Sequence, residues 1–381
     1  MTTFDTIVVG GGIVGAACAA AFARDGLTVA LIESGSIGHG ATAAAMGHVV
    51  LMDDSAPQLL LTRFSQSLWQ SLVPNLSATA EYQPAGTIWI ASDAEELHEA
   101  ARKQSIFAEY EIAAQLLDPR QLATLEPNLA SNLAGALLVP SDSIVNPLAI
   151  ARTLVEQAVA HGAQILTAEV LRIGAGTVDL SDGRRLFSRR IVNAAGERST
   201  RLTPGLPIRL RKGHLALTEP HPNFLHHQIV ELGYLKSAHC DDDDSVAFNV
   251  QPRATGQILI GSSRQYGSTG PEVEPVIIAR ILARAAEYMP TLAGIPIATT
   301  WTGFRSATPD KLPLIGPWPE DETIFLATGH EGLGITTSPA TAALLADHFA
   351  GRESAIPLTP YLPARLATLV AEPQAMYKEN S

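Results

Sequence analysis

The strongest indication of the fold lies close to the start of the chain, in the stretch Thr6-Ile-Val-Val-Gly-Gly-Gly-Ile-Val-Gly15. Its first four residues are β-branched, which is typical of a strand buried on both faces of a sheet. Its glycines match the spacing G-x-G-x-x-G, and the small-residue segment Ile13 to Arg24 has helical character. A second apolar strand, Thr28 to Ile32, ends at the acidic residue Glu33. This strand–turn–helix–strand unit predicts a Rossmann-type α/β domain.

The glycines and the acidic residue of this unit each have a physical role in binding a dinucleotide. Gly10 allows a tight turn, Gly12 lets the backbone approach a pyrophosphate, and Gly15 lets the helix pack closely on the strand. The helix N-terminus offers N–H groups and a positive dipole end to the same pyrophosphate. Glu33 is expected to accept hydrogen bonds from the adenosine ribose hydroxyls. The alternative is a purely structural glycine-rich turn, and the unit by itself leaves FAD and NAD both open.

The composition and charge of the chain exclude several classes of protein. Of its 381 residues, 46% are hydrophobic and 17% are charged, so the chain can fill a large core and is not disordered. The net charge of −12 argues against a nucleic-acid binder, because phosphate contacts require clustered Lys and Arg. Two cysteines, Cys18 and Cys240, exclude a disulfide framework and a multi-cysteine metal site.

Membrane insertion and secretion are also disfavoured by the sequence. No apolar run reaches the roughly 18 residues of a membrane span, and the first residues have no basic segment of a secretory signal. We therefore expect a soluble, cytoplasmic protein.

Local patterns predict the elements that follow the first unit. Helical spacing or capping predicts helices over Asp93 to Glu111, Asp118 to Glu126, Pro147 to His161, Val276 to Met289 and about Thr336 to Ala350. Apolar runs predict strands over Gly86 to Ile90, Gln164 to Thr167, Arg190 to Asn193 and Thr323 to Ala327, and a hairpin of Ala247 to Gln251 with Gln257 to Ile260. The acidic run Asp241 to Asp244 is interpreted as a solvated loop, with a weak cation site as the alternative.

Nucleotide-type segments alternate along the chain with strand-rich segments, which predicts two interleaved, discontinuous domains. The dinucleotide-binding domain is expected to comprise residues 1–80, 141–204 and 301–366. A strand-rich (α+β) domain for the substrate is expected to comprise residues 81–140 and 205–300, and residues 367–381 are interpreted as a tail.

Four further motifs make the prediction more specific, namely Gly40 to His48, Val192 to Gly196, Trp301 to Arg305 and Gly329 to Pro339. Together and in this order they resemble the D-amino-acid-oxidase-like family of FAD-dependent oxidoreductases, which includes glycine oxidase, sarcosine oxidase and amino-acid dehydrogenases. The resemblance covers nearly the whole chain. The segment Gly40 to His48, together with Gln251 to Arg253 and Gly261 to Gln265, looks closest to the hydroxyproline and D-amino-acid dehydrogenases.

The resemblance implies an α/β fold whose Rossmann-type domain binds FAD. Its cofactor contacts would come from Gly10, Gly12, Ile13, Val14, Gly15, Glu33, Ser34, Thr42, Ala43, Ala45, Met46, Gly47, Val170, Ala195, Gly196, Gly332, Leu333, Gly334, Ile335 and Thr336. Relatives that attach the flavin covalently use a histidine or a cysteine, which would align with Ala44 and Gly303 here. Neither residue can form that bond, so we expect non-covalent FAD.

The same resemblance assigns residues to the substrate. Arg305, in the pattern W-x-G-x-R, would clamp the substrate carboxylate through its planar guanidinium fork. Asn249 aligns with a tyrosine of glycine oxidase, and Gly332 aligns with an arginine, so the pocket is expected to be roomier. Arg264 is interpreted either as a second polar substrate contact or as a surface arginine.

The reaction implied is the FAD-dependent oxidation of a small amino or imino acid, of D-amino-acid or hydroxyproline type. Hydride would pass from the α-carbon to flavin N5 and give an imine, with oxygen, a quinone or an electron-transfer protein as final acceptor. No catalytic base and no metal are predicted, and His48 and His330 are expected to have structural roles. A glycine- or sarcosine-type oxidase and a flavin subunit of a multi-chain dehydrogenase stay open as alternatives, as does a homo-oligomer.

Overall fold

The computed structural model describes residues 3–233, 244–268 and 270–366. In chain order the strands are β1 (Thr3–Val9), β2 (Val29–Glu33), β3 (His48–Val49), β4 (Thr87–Ala91), β5 (Gln115–Leu117), β6 (Gly135–Val139), β7 (Ser143–Ile144), β8 (Gln164–Thr167), β9 (Val170–Gly174), β10 (Thr177–Leu180), β11 (Arg185–Asn193), β12 (Arg209–Thr218), β13 (Gln228–Glu231), β14 (Ser245–Pro252), β15 (Ile258–Tyr266), β16 (Ile297–Ala307), β17 (Leu314–Trp318) and β18 (Asp321–Thr328). The α-helices are α1 (Ile13–Arg24), α2 (Ala56–Leu72), α3 (Ala94–Glu109), α4 (Pro119–Leu125), α5 (Pro147–Ala160), α6 (Ser199–Leu202), α7 (Pro275–Tyr288) and α8 (Gly334–Ala350).

The first sheet is built around the predicted nucleotide-binding unit. Its strands lie in the order β17-β18-β11-β1-β2-β8, and β9 and β10 extend it beside β11. The strands β18, β11, β1, β2 and β8 are parallel, so their carboxyl ends meet at one edge. Both faces of this sheet are covered, which explains why most residues of β1 and β2 are apolar and buried. The predicted α/β class with a Rossmann-type domain is confirmed.

Helix α1 is made of small residues because it is packed on several sides. It contacts β1 and β2 and lies against α5 and α8. Gly15 is required within it, because a β-carbon there would overlap the carbonyl oxygen of Gly10. The helix, β1 and the glycine turn therefore approach each other closely, as the spacing of the glycines predicts.

The second sheet is mostly antiparallel and has the order β16-β12-β15-β14-β13-β4-β6-β5. Helix α7 packs on β14 and β15, and α3 packs on β4 and β6. The predicted hairpin is confirmed, because β14 and β15 pair antiparallel. Residues 301–307, which the predicted division assigned to the first domain, continue β16 and pair with β12 in this second sheet. The division into two domains otherwise stays a prediction.

The predicted helices are confirmed with small shifts at their ends. Helix α8 begins at Gly334, two residues before the expected start, and α4 has the full capping box of Asp118 and Gln121. Helix α2 was not predicted, and it supports the start of α8: the side chains of Ser65 and Trp69 donate hydrogen bonds to the carbonyl oxygen of Thr336, at 2.6 and 2.9 Å.

Some predicted features lie outside the described residues. These are Cys240, most of the acidic run (241–243) and the predicted tail from residue 367. Within the described ranges, no helix is both long and apolar enough to cross a membrane.

Candidate active site

A cavity of about 330 Å³ lies at the carboxyl ends of the parallel strands, where the first sheet faces the second. The first sheet contributes Glu33 and Ser34 from the end of β2, together with Val170, to the lining of this cavity. The second sheet contributes Arg305 and Asn249. We call this space the main cavity.

The glycine turn is held in place by the side chain of Glu33, the last residue of β2. Glu33 accepts a hydrogen bond from the backbone N–H of Gly11 at 2.7 Å through one carboxylate oxygen, and from that of Gly35 at 2.8 Å through the other. Gly10 has a φ of +108°, and a β-carbon there would lie 2.5 Å from the carbonyl oxygen of Ala194. The turn can therefore lie this close to the end of β11 because residue 10 has no side chain.

Most of the predicted cofactor residues line the main cavity. They are Gly10, Gly12, Ile13, Val14, Glu33, Ser34, Thr42, Ala45, Met46, Gly47, Val170, Ala195, Gly196, Gly332, Gly334 and Ile335. The hydroxyl of Thr42 already accepts a hydrogen bond from the backbone N–H of Ile13 at 3.0 Å, at the first turn of α1.

Four predicted residues lie elsewhere. Gly15 is packed against Gly10. Ala43 is exposed and does not line the main cavity. Thr336 is buried and joins two segments, because its hydroxyl donates to the carbonyl oxygen of His48 at 3.0 Å and accepts from the N–H of Val50 at 3.2 Å. Leu333 lines a neighbouring space described below.

Arg305 extends from β16 into the main cavity and is half-buried. Its Nη1 donates a hydrogen bond to the carbonyl oxygen of Ser263 on β15 at 3.2 Å. A β-carbon on residue 213 of β12 would lie 2.8 Å from its Cζ, so Gly213 provides the room for the guanidinium group. Arg305 thus lines the main cavity, and its role as the carboxylate clamp stays a prediction.

A smaller space of about 80 Å³ adjoins the main cavity, and we call it the side chamber. The two spaces share His48, Asn249, Glu331 and Gly332 as lining residues. The chamber has room for several water-sized groups, since one water needs roughly 10–15 Å³ of such volume. Its remaining walls include Trp89, Gln228, Val230, Arg211, Arg264 and Lys311.

The side chamber is strongly charged. Arg264 is only 9% exposed and lines it, so the interpretation of Arg264 as a surface arginine is wrong. Arg211 forms an ion pair with Glu331. Burial raises the pKa of Glu331, but the guanidinium groups of Arg264 and Arg211 outweigh burial and hold that pKa below its usual range. Glu331 is therefore ionised in the folded protein.

Two histidines lie at the site, of which His48 is half-buried and His330 is buried. Burial lowers the pKa of His48 to about 4, against a smaller opposite effect of its hydrogen bond to Gln228. Burial lowers the pKa of His330 to about 3, and its Nε2 lies 2.9 Å from the hydroxyl of Thr341. Both rings are therefore neutral near pH 7, and their geometry is that of hydrogen-bonded structural side chains.

Sequence reasoning did not identify several residues that border these spaces. Glu331 and Gln228 are the clearest cases, because each contacts a residue that is distant in sequence. Glu331 accepts a hydrogen bond from Arg211, and Gln228 accepts one from His48. The sequence did offer one indication for Glu331, because it is a charged residue inside the glycine-rich turn Gly329 to Gly334. Within the described part of the chain, no group of three or more His, Cys, Asp and Glu residues could hold a metal ion.

Comparison with known proteins agrees with this architecture. The family model described as "FAD dependent oxidoreductase" matches residues 5–348. The chain belongs to this family. It is an oxidoreductase, and FAD is its cofactor.

Individual relatives extend over almost the whole chain. Glycine oxidase from Geobacillus kaustophilus is 28% identical over 94% of this chain and 96% of its own length. A crystal structure of glycine oxidase from Geobacillus kaustophilus superposes with a TM-score of 0.85, at 27% identity over 95% of this chain and 98% of the other. A hydrogen cyanide synthase subunit from Pseudomonas aeruginosa is 27% identical over 95% of this chain and 96% of its own length. L-Proline dehydrogenase from P. horikoshii has the same fold, with a TM-score of 0.84 at 20% identity over 96% of this chain and 98% of the other.

The residues of the main cavity fit FAD. A β-carbon at Gly196 or at Gly332 would meet no atom within 4 Å, so at both positions the backbone borders open space that a side chain would fill. The first turns of α1 and α8 both line the cavity and direct the positive ends of their helix dipoles towards it. These features suit a ligand with a negatively charged pyrophosphate.

Proposed function

We propose that this protein oxidises a small α-amino or imino acid, whose carboxylate is held by Arg305. The observation that carries the proposal is that Arg305, on β16 of the second sheet, lines the same cavity as the glycine turn and Glu33 of the first sheet. A guanidinium group offers two parallel N–H donors to a carboxylate, which gives both charge pairing and orientation. Bound FAD supplies the acceptor for the two electrons removed from the carbon–nitrogen bond.

The protein residues would act mainly by positioning the substrate. Arg305 would fix the carboxylate and thereby direct the α-carbon, and the enclosing walls would exclude water. The neutral state of His48 and His330 is consistent with a reaction that needs an oriented, neutral amine more than a strong protein base. The cofactor contacts assigned to the lining residues of the main cavity are part of this proposal.

The substrate would be larger than glycine. Asn249 and Gly332 border both the main cavity and the side chamber. By the family resemblance, these two residues would stand where glycine oxidase has bulkier side chains. The side chamber can accept a side chain or a ring atom of the substrate, and its buried Arg264 offers a polar contact there. A cyclic or branched amino acid, of D-amino-acid or hydroxyproline type, suits this space.

An anaerobic screen of flavin reduction tests the proposal directly. The FAD-loaded protein is mixed without oxygen with amino acids of both hands, with hydroxyprolines and with glycine, and loss of flavin absorbance is followed. We expect at least one cyclic or branched amino acid to reduce the flavin faster than glycine does. If none of these compounds reduces it, the proposed function is wrong.

Two further possibilities concern the fate of the electrons. The glycine oxidase relative favours direct transfer to oxygen, whereas the hydrogen cyanide synthase subunit favours a protein that works with partner chains. Mixing the reduced protein with air separates an oxidase, which is re-oxidised rapidly, from a dehydrogenase. Gel filtration of the lone chain combined with the same assay shows whether partner chains are required.

A further inference from the structure

A chain of hydrogen bonds crosses the wall between the main cavity and the side chamber. His48 Nδ1 lies 2.5 Å from Gln228 Oε1, and His48 Nε2 lies 3.2 Å from Asn249 Nδ2. An amide oxygen can only accept, so Nδ1 carries the proton and Nε2 can only accept. Asn249 therefore directs its NH₂ group towards His48 and its Oδ1 away from it.

Asn249 Oδ1 is left without a hydrogen bond. Asn249 is 7% exposed, and its Oδ1 is buried with no partner among the residues that the structure describes. A buried polar atom of this kind is costly unless a ligand or a water satisfies it. Asn249 borders both spaces, and Arg305 borders the main cavity as well.

We propose that Asn249 binds the substrate nitrogen by accepting a hydrogen bond from its N–H group, and that His48 and Gln228 are positioning residues that hold the Asn249 amide in this orientation. This inference rests on the proposed function, because it needs an amino or imino acid whose carboxylate is held by Arg305.

Asn249 and Arg305 distinguish the nitrogen end of the substrate from its carboxylate end. The amide oxygen of Asn249 accepts hydrogen bonds and repels a carboxylate, whereas Arg305 only donates and repels an ammonium group. The pair therefore fixes which way an amino or imino acid enters. A rotation of the Asn249 amide would place its oxygen against the lone pair of His48 Nε2, so the bond from His48 to Gln228 keeps the orientation.

Two unreactive ligands of the same shape test the inference. Pyrrole-2-carboxylate has an N–H group beside its carboxylate, and furan-2-carboxylate has a ring oxygen at the same place. Each is titrated into the FAD-loaded protein, and the dissociation constant is read from the change in the flavin absorption spectrum. We expect pyrrole-2-carboxylate to bind about 5- to 100-fold more tightly, because furan-2-carboxylate leaves Asn249 Oδ1 unsatisfied.

Variants assign this preference to the proposed residues. Asn249→Leu should bind the two ligands almost equally, and Gln228→Leu should lose much of the preference because His48 is no longer held. Gln228→Glu keeps an acceptor for His48 Nδ1–H and should restore the preference. Gln265→Leu is the matched control, because Gln265 is a buried glutamine of the same sheet that hydrogen-bonds Asp244 and Glu274. It should bind both ligands as the unmodified protein does.

The outcomes separate this inference from the proposed function. Equal binding of the two ligands by the unmodified protein overturns the role of Asn249, and so does a preference that survives Asn249→Leu. A preference that survives Gln228→Leu overturns the positioning role of Gln228. Arg305→Met should weaken the binding of both ligands by the same factor. That result supports the role of Arg305 as the carboxylate clamp and says nothing about Asn249. If neither ligand binds the unmodified protein, the proposed function fails and the inference fails with it.

Discussion

The guanidinium group of Arg305 lies against the α-carbon of Gly213 on the neighbouring strand. A β-carbon at position 213 would be 2.8 Å from Arg305 Cζ, a distance that real β-carbons essentially never show. The two residues are on paired antiparallel strands, where Gly213 lies opposite Gly303. The direction of Arg305 into the main cavity thus depends on a missing side chain on another strand.

We predict that Gly213→Ala displaces the guanidinium group while the fold and the FAD content are kept. Misplacing an orienting group by about 1 Å can cost 100-fold, so we expect kcat/KM for the amino acid to fall by about 10- to 100-fold. Gly294→Ala is the control, since a β-carbon there would meet no atom within 4 Å. A Gly213→Ala variant with unchanged kcat/KM would show that Arg305 does not need this position.

We predict that Glu33→Ala weakens FAD binding by about 10- to 150-fold, the range for losing a hydrogen bond to a charged group. The substitution also removes the acceptor for the N–H groups of Gly11 and Gly35, which loosens the turn. The dissociation constant is measured by fluorescence titration of the apoprotein with FAD. Glu33→Gln keeps an acceptor oxygen and should lose less affinity for FAD than Glu33→Ala does. An unchanged dissociation constant for Glu33→Ala would show that Glu33 is not required for FAD binding.

We predict that FAD is bound non-covalently, so that acid precipitation releases it into the supernatant. Ala44 and Gly303 both line the main cavity, and a β-carbon on residue 303 would overlap that of Ala44. Neither residue has a nucleophilic side chain. Flavin absorbance that stays with the precipitated polypeptide would contradict this prediction.

We predict that Asp142 makes the protein less stable as the pH rises. Burial raises the pKa of Asp142 from 3.8 to about 7, so the folded state binds its proton more tightly than the unfolded state does. This contribution to stability is full below about pH 4 and is lost as the pH rises to about 7, with a slope on the order of 1.4 kcal/mol per pH unit.

Melting temperatures measured at several pH values test whether the contribution of Asp142 to stability falls as the pH rises. Asp142→Asn should become increasingly more stable than the unmodified protein between about pH 5 and pH 8. Asp182 lies in an exposed turn, and its hydrogen bonds to Arg184 lower its pKa, so Asp182→Asn should not alter the dependence in this range. A constant difference in melting temperature between Asp142→Asn and the unmodified protein would contradict the prediction.

The features that sequence predicted best are local. The glycine turn, α1 and the acidic end of β2 depend on residues within one short segment, and their positions agree with the structure. Helix α2 was missed, although Ser55 caps it by accepting from the N–H of Gln58 and a proline follows in its first turn. The capping signal alone does not predict a helix here, because the polar and apolar residues of the segment alternate irregularly.

The features that sequence could not predict depend on pairing between distant segments. The ion pair of Arg211 with Glu331 joins β12 to the turn before α8, and the contact of His48 with Gln228 joins two different sheets. No spacing rule connects such residues, so the side chamber could not be anticipated. For the same reason the sequence could not predict the burial of Arg264, whose strand β15 lies between β12 and β14.

Anaerobic reduction of the Arg305→Met variant shows whether Arg305 holds the substrate carboxylate. The FAD-loaded variant is mixed with the best amino acid from the screen and with the corresponding decarboxylated amine. Removing one partner of a buried charge pair costs on the order of 2–5 kcal/mol, so reduction by the amino acid should slow by about 30- to several-thousand-fold. Reduction by the amine should be nearly unchanged, because the amine has no carboxylate to lose. If the variant is reduced by the amino acid as fast as the unmodified protein, Arg305 is not the clamp.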